Sequence, residues 1–492
     1  MWRASGVILC MVACKSFAKD WPAIDLGTTY DSHSVDGMSL LQTQLQILES
    51  IEATKTAPPA LRAKWPLDVL HCPHGEGMPL LTTKHMTFAD YDEVVASVQR
   101  LYHKLPDTCN EDYCPQAHWS GCILRAAAHD FMDYKDGLGG SDGCFYLPDM
   151  DNKGLRECLQ EGFHGVTILN AYEDFCSRIS FADFLVISAE AVLNITRQLV
   201  LNENPNRGQL DLRSHFRYGR TTEKSCYASV GRMPDAEEGC NSVNRILVQN
   251  LGLKWSQATA LMGAHTIGEA STSRSGYEGS WTGSKGSRKF DNGYFTAMLL
   301  QGWSPELGVQ GDPSKNQWMR TDAGKGPDKQ MMLNSDMCLF FVSVENTTVI
   351  GRTDTRQCLC AWTHLTTRES HTETYGKHDH WPAINKYNNG DLCGGAQLYA
   401  ANTDEGTGPD DENPSPTALN FTKQRLLCCG MQDKAFYDDN TLDCVPGGPA
   451  ARDVNSFSND EDMWLATFQE AWRIAVTNGH GGSLKMLSQA IG

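Results

Sequence analysis

Leu124-Arg125-Ala126-Ala127-Ala128-His129-Asp130 and, far downstream, Ala260-Leu261-Met262-Gly263-Ala264-His265-Thr266-Ile267-Gly268 are the two stretches on which the fold turns. The first is helical in composition, and residues four apart on a helix share a face. Arg125 and His129 therefore point together. An imidazole can take up and hand on a proton, and a guanidinium beside it stabilises negative charge as it develops. In the second stretch Ala258, Leu261 and Met262 share a helix face with His265, which ends the helix. Trp281 follows sixteen residues later, in Ser275-Gly276-Tyr277-Glu278-Gly279-Ser280-Trp281.

Outward from these two points the chain reads as mainly α. Helical periodicity marks 90–104, 118–132, 154–176, 180–199, 240–251, 255–264 and 291–301, and few strand-like alternating runs appear. Before this, residues 19–85 hold one periodic run (Leu40 to Ile51) and then Pro58, Pro59, Pro66, Pro73 and Pro79, the pattern of a pro-region or an extended wrap. After it, 342–453 is rich in Gly, Asn, Asp and Pro and holds Cys358, Cys360, Cys393, Cys428, Cys429 and Cys444. That composition predicts a loop-rich insertion stapled by disulfides. Helical periodicity returns at 459–477 (Met463, Trp464, Phe468, Ala471, Trp472), which predicts a helix packing back on the core.

The 492 residues carry a formal charge of −18, which argues against nucleic acid and against an anionic membrane surface. Arg3, the apolar run Val7 to Cys14 and Ser16-Phe17-Ala18 read as a signal peptide over residues 1–18. No later stretch reads as a membrane helix. Of 18 Cys, sixteen remain once Cys10 and Cys14 are set aside, an even number that predicts disulfides. Sequons at Asn194, Asn346 and Asn420 agree with a secreted or secretory-pathway protein. His364, His371, His378 and His380 read as a polar exposed loop rather than a metal site.

Further motifs stand in order around the two opening stretches. They are Gly139-Gly140-Ser141-Asp142-Gly143, Asn152 in Asp151-Asn152-Lys153-Gly154-Leu155, Gly231-Arg232-Met233-Pro234-Asp235-Ala236, Phe290-Asp291-Asn292-Gly293-Tyr294-Phe295, and Asp336 in Met331-Met332-Leu333-Asn334-Ser335-Asp336-Met337. Together they resemble the haem peroxidases of the plant, fungal and bacterial superfamily. The likeness runs from about 88 to 341 and resumes at 454–479. It is closest to class I, the ascorbate and cytochrome c peroxidases, of which Ser275 to Trp281 is typical. The resemblance implies two helical halves sandwiching haem b, with a core over 86–341, its last helix over 454–479 and a tail over 480–492. It implies His265 as iron ligand, Asp336 on the other nitrogen of that ring, and Trp281 against it as an electron relay. Arg125 and His129 would cleave hydrogen peroxide to water through an oxoferryl intermediate, with Asn152 fixing the His129 tautomer. A small-molecule electron donor such as ascorbate or a phenol would supply the electrons. Where the family carries Trp or Phe before the distal His, this chain has Ala128.

Three peripheral expectations follow from the same likeness. Thr266, Thr282, Ser284 and Asp291 match a proximal site for K+ or Ca2+. Asp130, Gly140 and Asp142 match a distal calcium site in which Cys144 replaces a Ser, and hard calcium prefers oxygen to sulfur. Arg274, nine residues after His265, matches the Arg with which ascorbate peroxidases bind substrate. The competing readings are a cytochrome c-oxidising peroxidase, which the acidic charge favours, and a haem-binding protein without turnover, for which Ala128 speaks. A third is an extracellular interaction protein with 342–453 as its functional module.

Overall fold

In the computed structural model the described residues are Cys72 and 78–489, apart from 110–113, 225, 227–231, 301–302, 308, 313 and 321–328; between 341 and 447 only 343–344 and 362–363 are described. The expected signal peptide, the Leu40–Ile51 run, most of the Cys-rich segment with its six Cys and four His, the sequons at Asn346 and Asn420, and Gly231 all lie outside them. The first helix, α1 (Phe88–Tyr102), begins at a reciprocal cap. Thr87 Oγ1 accepts from the Asp90 N–H, and Asp90 Oδ2 accepts from the Thr87 N–H. Its Tyr91, Val94, Val98 and Leu101 are buried at three- and four-residue intervals. Helix α2 (Pro115–Met132) has Pro in its first turn, where a missing N–H costs nothing. Most of α2 is buried, but Cys122, Arg125, Ala128, His129 and Met132 form one partly exposed stripe.

The stretch read as a helix over 154–176 is broken. A wide turn at Glu157–Glu161 gives way at Gly162, His164 and Gly165, all at positive φ, and a short α3 (Ile168–Tyr172) follows. Ser180 then caps α4 (Phe181–Glu203), against which α1 and α2 pack. This helix corrects the reading that no stretch could span a membrane. It is 23 residues long and its most apolar 18-residue window has a mean hydropathy of 1.5, but 83% of that window is buried in the protein core. It also corrects the first sequon. Asn194 lies inside α4, and Thr196 is fully buried with its hydroxyl on the Val192 carbonyl, so this is no exposed loop.

Helix α5 (Trp255–Met262) tightens into a single 3-10 turn, Gly263–Thr266, which carries His265. Helix α6 (Gly293–Leu300) packs on α7 (Ala451–Asn459), and α8 (Glu461–Ala475) packs on α5. Trp464 of α8 donates its indole N–H to the Ala260 carbonyl at 3.0 Å. The chain therefore does return to the helical core after the Cys-rich segment. The helix expected over 459–477 is α8, which starts at Glu461 because Asp460 caps it through the Met463 N–H, and the separate helix α7 precedes it.

Short strands escaped the sequence reading. Antiparallel pairs join β1 (Arg217–Tyr218) to β9 (Lys485–Met486) and β2 (Glu269–Ala270) to β3 (Gly279–Ser280). A three-stranded antiparallel sheet runs β4 (Trp303–Leu307), β5 (Asn316–Arg320), β6 (Met331–Met332), and β7 (Ser343–Val344) pairs in parallel with β8 (Trp362–Thr363). The β1–β9 pair means that the C-terminal tail is bound to the core. Disulfides join Cys72–Cys176, Cys109–Cys114, Cys122–Cys158, Cys144–Cys226 and Cys240–Cys338, so cross-linking extends through the helical core.

Candidate active site

On α2, two contacts agree on one tautomer of His129. Asn152 donates Nδ2–H to the Tyr146 carbonyl at 3.0 Å, which turns its Oδ1 toward His129 Nδ1, also 3.0 Å away. Nδ1 must then carry the proton. Arg125 Nε–H points at Nε2 from 3.2 Å, as it can only toward a lone pair. Burial, and then the Arg125 charge, hold the His129 pKa down to about 3, against a smaller upward pull from Asn152. The ring is neutral at physiological pH, with Nε2 as its basic atom. Arg125 itself is braced by the carbonyls of Lys153 (2.8 Å) and Asp151 (2.6 Å). Burial lowers its pKa to about 10, so it stays charged.

The other histidine is fixed by a buried carboxylate. His265 Nδ1 lies 2.8 Å from Asp336 Oδ1, and Asp336 is fully buried while the His265 side chain is 35% exposed. Trp281 lies flat against the imidazole, centroids 4.3 Å apart and planes 17° apart, and donates its indole N–H to Asp336 Oδ2 at 2.8 Å. Sequence reasoning missed two further donors. Tyr294 O–H reaches Asp336 Oδ1 at 2.8 Å, and the Leu333 N–H reaches Oδ2 at 2.7 Å. Tyr294 stood in the quoted 290–295 segment, yet nothing in its spacing pointed to Asp336. Burial alone would raise the Asp336 pKa, but His265 and these hydrogen bonds outweigh it and leave the carboxyl below its usual value.

The elements carrying the two histidines touch. Gly121 of α2 and Gly268, three residues past His265, approach so closely that a Cβ on either would stand 2.8 Å from the other's Cα. Only glycine fits there. The donor set suits haem iron: one imidazole whose Nδ1 is spent on a carboxylate, and a second with a basic Nε2 beside a cation. Ala128 lies in the partly exposed stripe between Arg125 and His129, where a small side chain leaves the space uncovered.

The peripheral sites fare less evenly. Arg274 does not offer a free guanidinium. It is paired with Glu157 (Nε to Oε2, 2.5 Å), bonded to Ser271 Oγ at 3.0 Å, and lies over the Phe163 ring. Thr266 Oγ1 does reach Asp291 Oδ1 (3.3 Å), and Thr282 Oγ1 bonds the Thr266 carbonyl (3.0 Å). Ser284 shares the adjacent turn Gly283–Gly286. Arg207 Nη1 stands 3.8 Å from Asp291 Oδ2, so a protein cation already faces this carboxylate. At the positions of the expected distal calcium site the carboxylates are engaged within the protein. Both Asp130 oxygens accept from the Gly143 N–H at 2.9 Å, the Gly140 N–H is taken by Asp133, and the Cys144 sulfur is bonded to Cys226. Burial and the neighbouring carboxylates raise Asp130, and burial followed by Asp133 pushes Asp142 up to about 8. Among the described residues no set of three or more His, Cys, Asp or Glu is arranged to hold a metal.

This geometry is matched by sequence likeness. The sequence model described as Peroxidase covers residues 94–350, just over half of the chain. A cytosolic L-ascorbate peroxidase 2 of Oryza sativa subsp. japonica is 27% identical over 210 residues, 42% of this chain and 74% of the relative. The cytosolic L-ascorbate peroxidase 2 of Arabidopsis thaliana is 28% identical over 214 residues, again 42% and 74%. A protein of Aspergillus fumigatus named for heme binding and peroxidase activity is 32% identical over 224 residues, 44% of this chain and 63% of that one. With the matched span holding both histidines and the partners that set their protonation, the chain belongs to the peroxidase family, as a haem enzyme of the class I kind that reduces hydrogen peroxide.

Proposed function

We propose that His265 ligates the haem and that Arg125 and His129 carry out the cleavage of hydrogen peroxide, with electrons drawn from a small donor. The observation that carries this is the opposite fixing of two imidazoles, His129 through Asn152 and His265 through Asp336. His265 would hold the haem through Nε2, and the group, when bound, would supply the electrons for breaking the O–O bond. His129 Nε2 takes the proton from the oxygen that stays and returns it to the oxygen that leaves as water. Peroxide reaches that lone pair once Arg125 Nε releases it, and the guanidinium then stabilises the charge on the parting oxygens. Asn152 keeps Nδ1 protonated throughout. Asp336 draws on the His265 Nδ1 proton, which strengthens Nε2 as a ligand. His265→Ala tests the assignment: it should lose stoichiometric haem, with recovery on added imidazole. An unchanged ferric absorption spectrum would remove His265 from the role.

For the donor, the family likeness supports a small reductant, and the ion pair on Arg274 favours phenols alongside ascorbate, because Glu157 cancels much of the charge an anion would seek. The acidic charge still speaks for the cytochrome c reading. For a proximal K+ or Ca2+, the meeting of Thr266, Thr282 and Asp291 is the support, while Arg207 supplies the same charge from the protein. A secretory location rests on the signal-like first 18 residues and on five disulfides, which persist in oxidising compartments.

A further inference from the structure

Asp336 is not the only buried carboxylate holding a tryptophan and a tyrosine. Glu190, 2% exposed in the middle of α4, accepts the Trp472 indole N–H on Oε1 at 2.9 Å and the Tyr91 hydroxyl on Oε2 at 2.7 Å. Asp336 holds Trp281 and Tyr294 in the same fashion. The two carboxylates stand at the two ends of an unbroken run of aromatic contacts. His265 meets Tyr294 (centroids 5.9 Å), Tyr294 meets Phe295 (5.0 Å), and Phe295 meets Trp464 (5.9 Å). Trp464 meets Phe468 (6.0 Å), which stacks on Trp472 (5.9 Å, planes 20° apart). Trp464, Phe468 and Trp472 lie four apart on α8, so one helix face supplies half the path. No more than one phenyl ring separates successive oxidisable side chains.

We infer that Tyr91, Glu190 and Trp472 form a second oxidation site, linked to the proximal histidine through Tyr294, Trp464 and Phe468. The inference rests on the haem reading given above. Two features distinguish this cluster from ordinary core packing. A glutamate buried in the middle of a long, apolar, buried helix is costly, and two phenylalanines would fill the space without it. Burial pushes the Glu190 pKa up to about 7, against the pull of its hydrogen bonds to Tyr91 and Trp472 and of Arg220, so it is suited to take a proton at neutral pH. Glu190 and Trp472 also line a recess together with Phe216 and the exposed Asp211, His215 and Arg473. Phe216 in turn touches Tyr91, centroids 5.2 Å apart. The recess itself has room for no more than about one water molecule, so a small donor would rest against its exposed rim, with Phe216 between it and Tyr91.

The step balances as follows. After peroxide has withdrawn two electrons from the haem site, Tyr91 passes one electron inward along the rings, and its hydroxyl proton moves to Glu190 Oε2. That leaves a neutral tyrosyl radical, a protonated Glu190 and a haem site one electron closer to rest. A one-electron donor such as a phenol or ascorbate then reduces Tyr91, Glu190 returns the proton, and the oxidised donor leaves.

Haem-loaded enzyme, mixed with one equivalent of hydrogen peroxide without donor and freeze-quenched, should show a tyrosyl radical by electron paramagnetic resonance. Ring-deuterated tyrosine should narrow the signal. Tyr91→Phe should abolish it, and Glu190→Gln should strip most of it, with the haem absorption and the initial reaction with peroxide unchanged. A radical signal identical in wild type, Tyr91→Phe and Trp472→Phe overturns the inference and leaves the haem reading standing. Absence of a haem spectrum, or of any response to peroxide, would instead overturn both. Nitroso spin trapping of the wild type, read by peptide mass spectrometry, needs no variant. Adducts on Tyr91 or Trp472 support the site, and adducts confined to other residues overturn it.

Discussion

His129 shows how little is needed to set a catalytic group: one amide and one guanidinium decide which nitrogen is basic. Because burial and Arg125 hold its pKa near 3, it is deprotonated across the physiological range. Protonation would remove the lone pair that accepts from peroxide. The rate of reaction with peroxide should therefore be flat at neutral pH and fall only as pH drops toward about 3. Stopped-flow mixing with His129→Leu should show a loss of roughly 10²–10⁴, the usual worth of a positioned acid–base group. Wild-type speed in that variant would clear His129 of the role. Glu157 is the opposite case, a residue with no part in the chemistry that governs a neighbour. Glu157→Gln frees the Arg274 guanidinium, so KM for ascorbate should fall several-fold with kcat for a neutral phenol unmoved. Equal effects on both donors would place Arg274 away from the donor path.

The helical elements that carry the chemistry were legible because their signal is a spacing. Arg125 and His129, four apart, do share the one partly exposed stripe of α2, and the apolar face of α5 does run into His265. The elements that were misread lack such a signal. Glycines at positive φ end the helix expected over 154–176, and a strand two residues long has no alternation to detect. Contacts across the chain were also invisible: Glu157 on Arg274 and Arg207 against Asp291 join residues 117 and 84 positions apart. The broken segment still has a job, since the Cys122–Cys158 disulfide ties it to α2 beside the catalytic stripe. That bond closes a loop of 36 residues that contains Asn152. Replacing both cysteines with Ala should cost about 2–4 kcal/mol in thermal or denaturant unfolding. It should also slow the peroxide reaction as Asn152 loses its fixed place. Full stability with unchanged kinetics would show that packing alone holds the segment.

At the scale of the whole molecule, the charge of −18 and the local site pull a donor in different directions. An ascorbate anion approaching an acidic protein is repelled at long range, and this repulsion acts over the Debye length. That length shrinks from about 30 Å at 0.01 M salt to about 8 Å at 0.15 M. Arg274 would offset the repulsion if its charge were free, but Glu157 sits against it. The balance should therefore fall on the side of repulsion. kcat/KM for ascorbate should rise as salt is raised from about 0.01 to 0.15 M, while a neutral phenol stays level. Glu157→Gln should flatten the ascorbate curve by restoring a local positive charge. A basic cytochrome, if it were the donor, would behave in the reverse sense, losing kcat/KM steeply as its attraction is screened. Ascorbate turnover that falls with salt in the wild type would mean that a positive patch near the haem edge dominates the field, and Glu157 would then have no hold on donor choice.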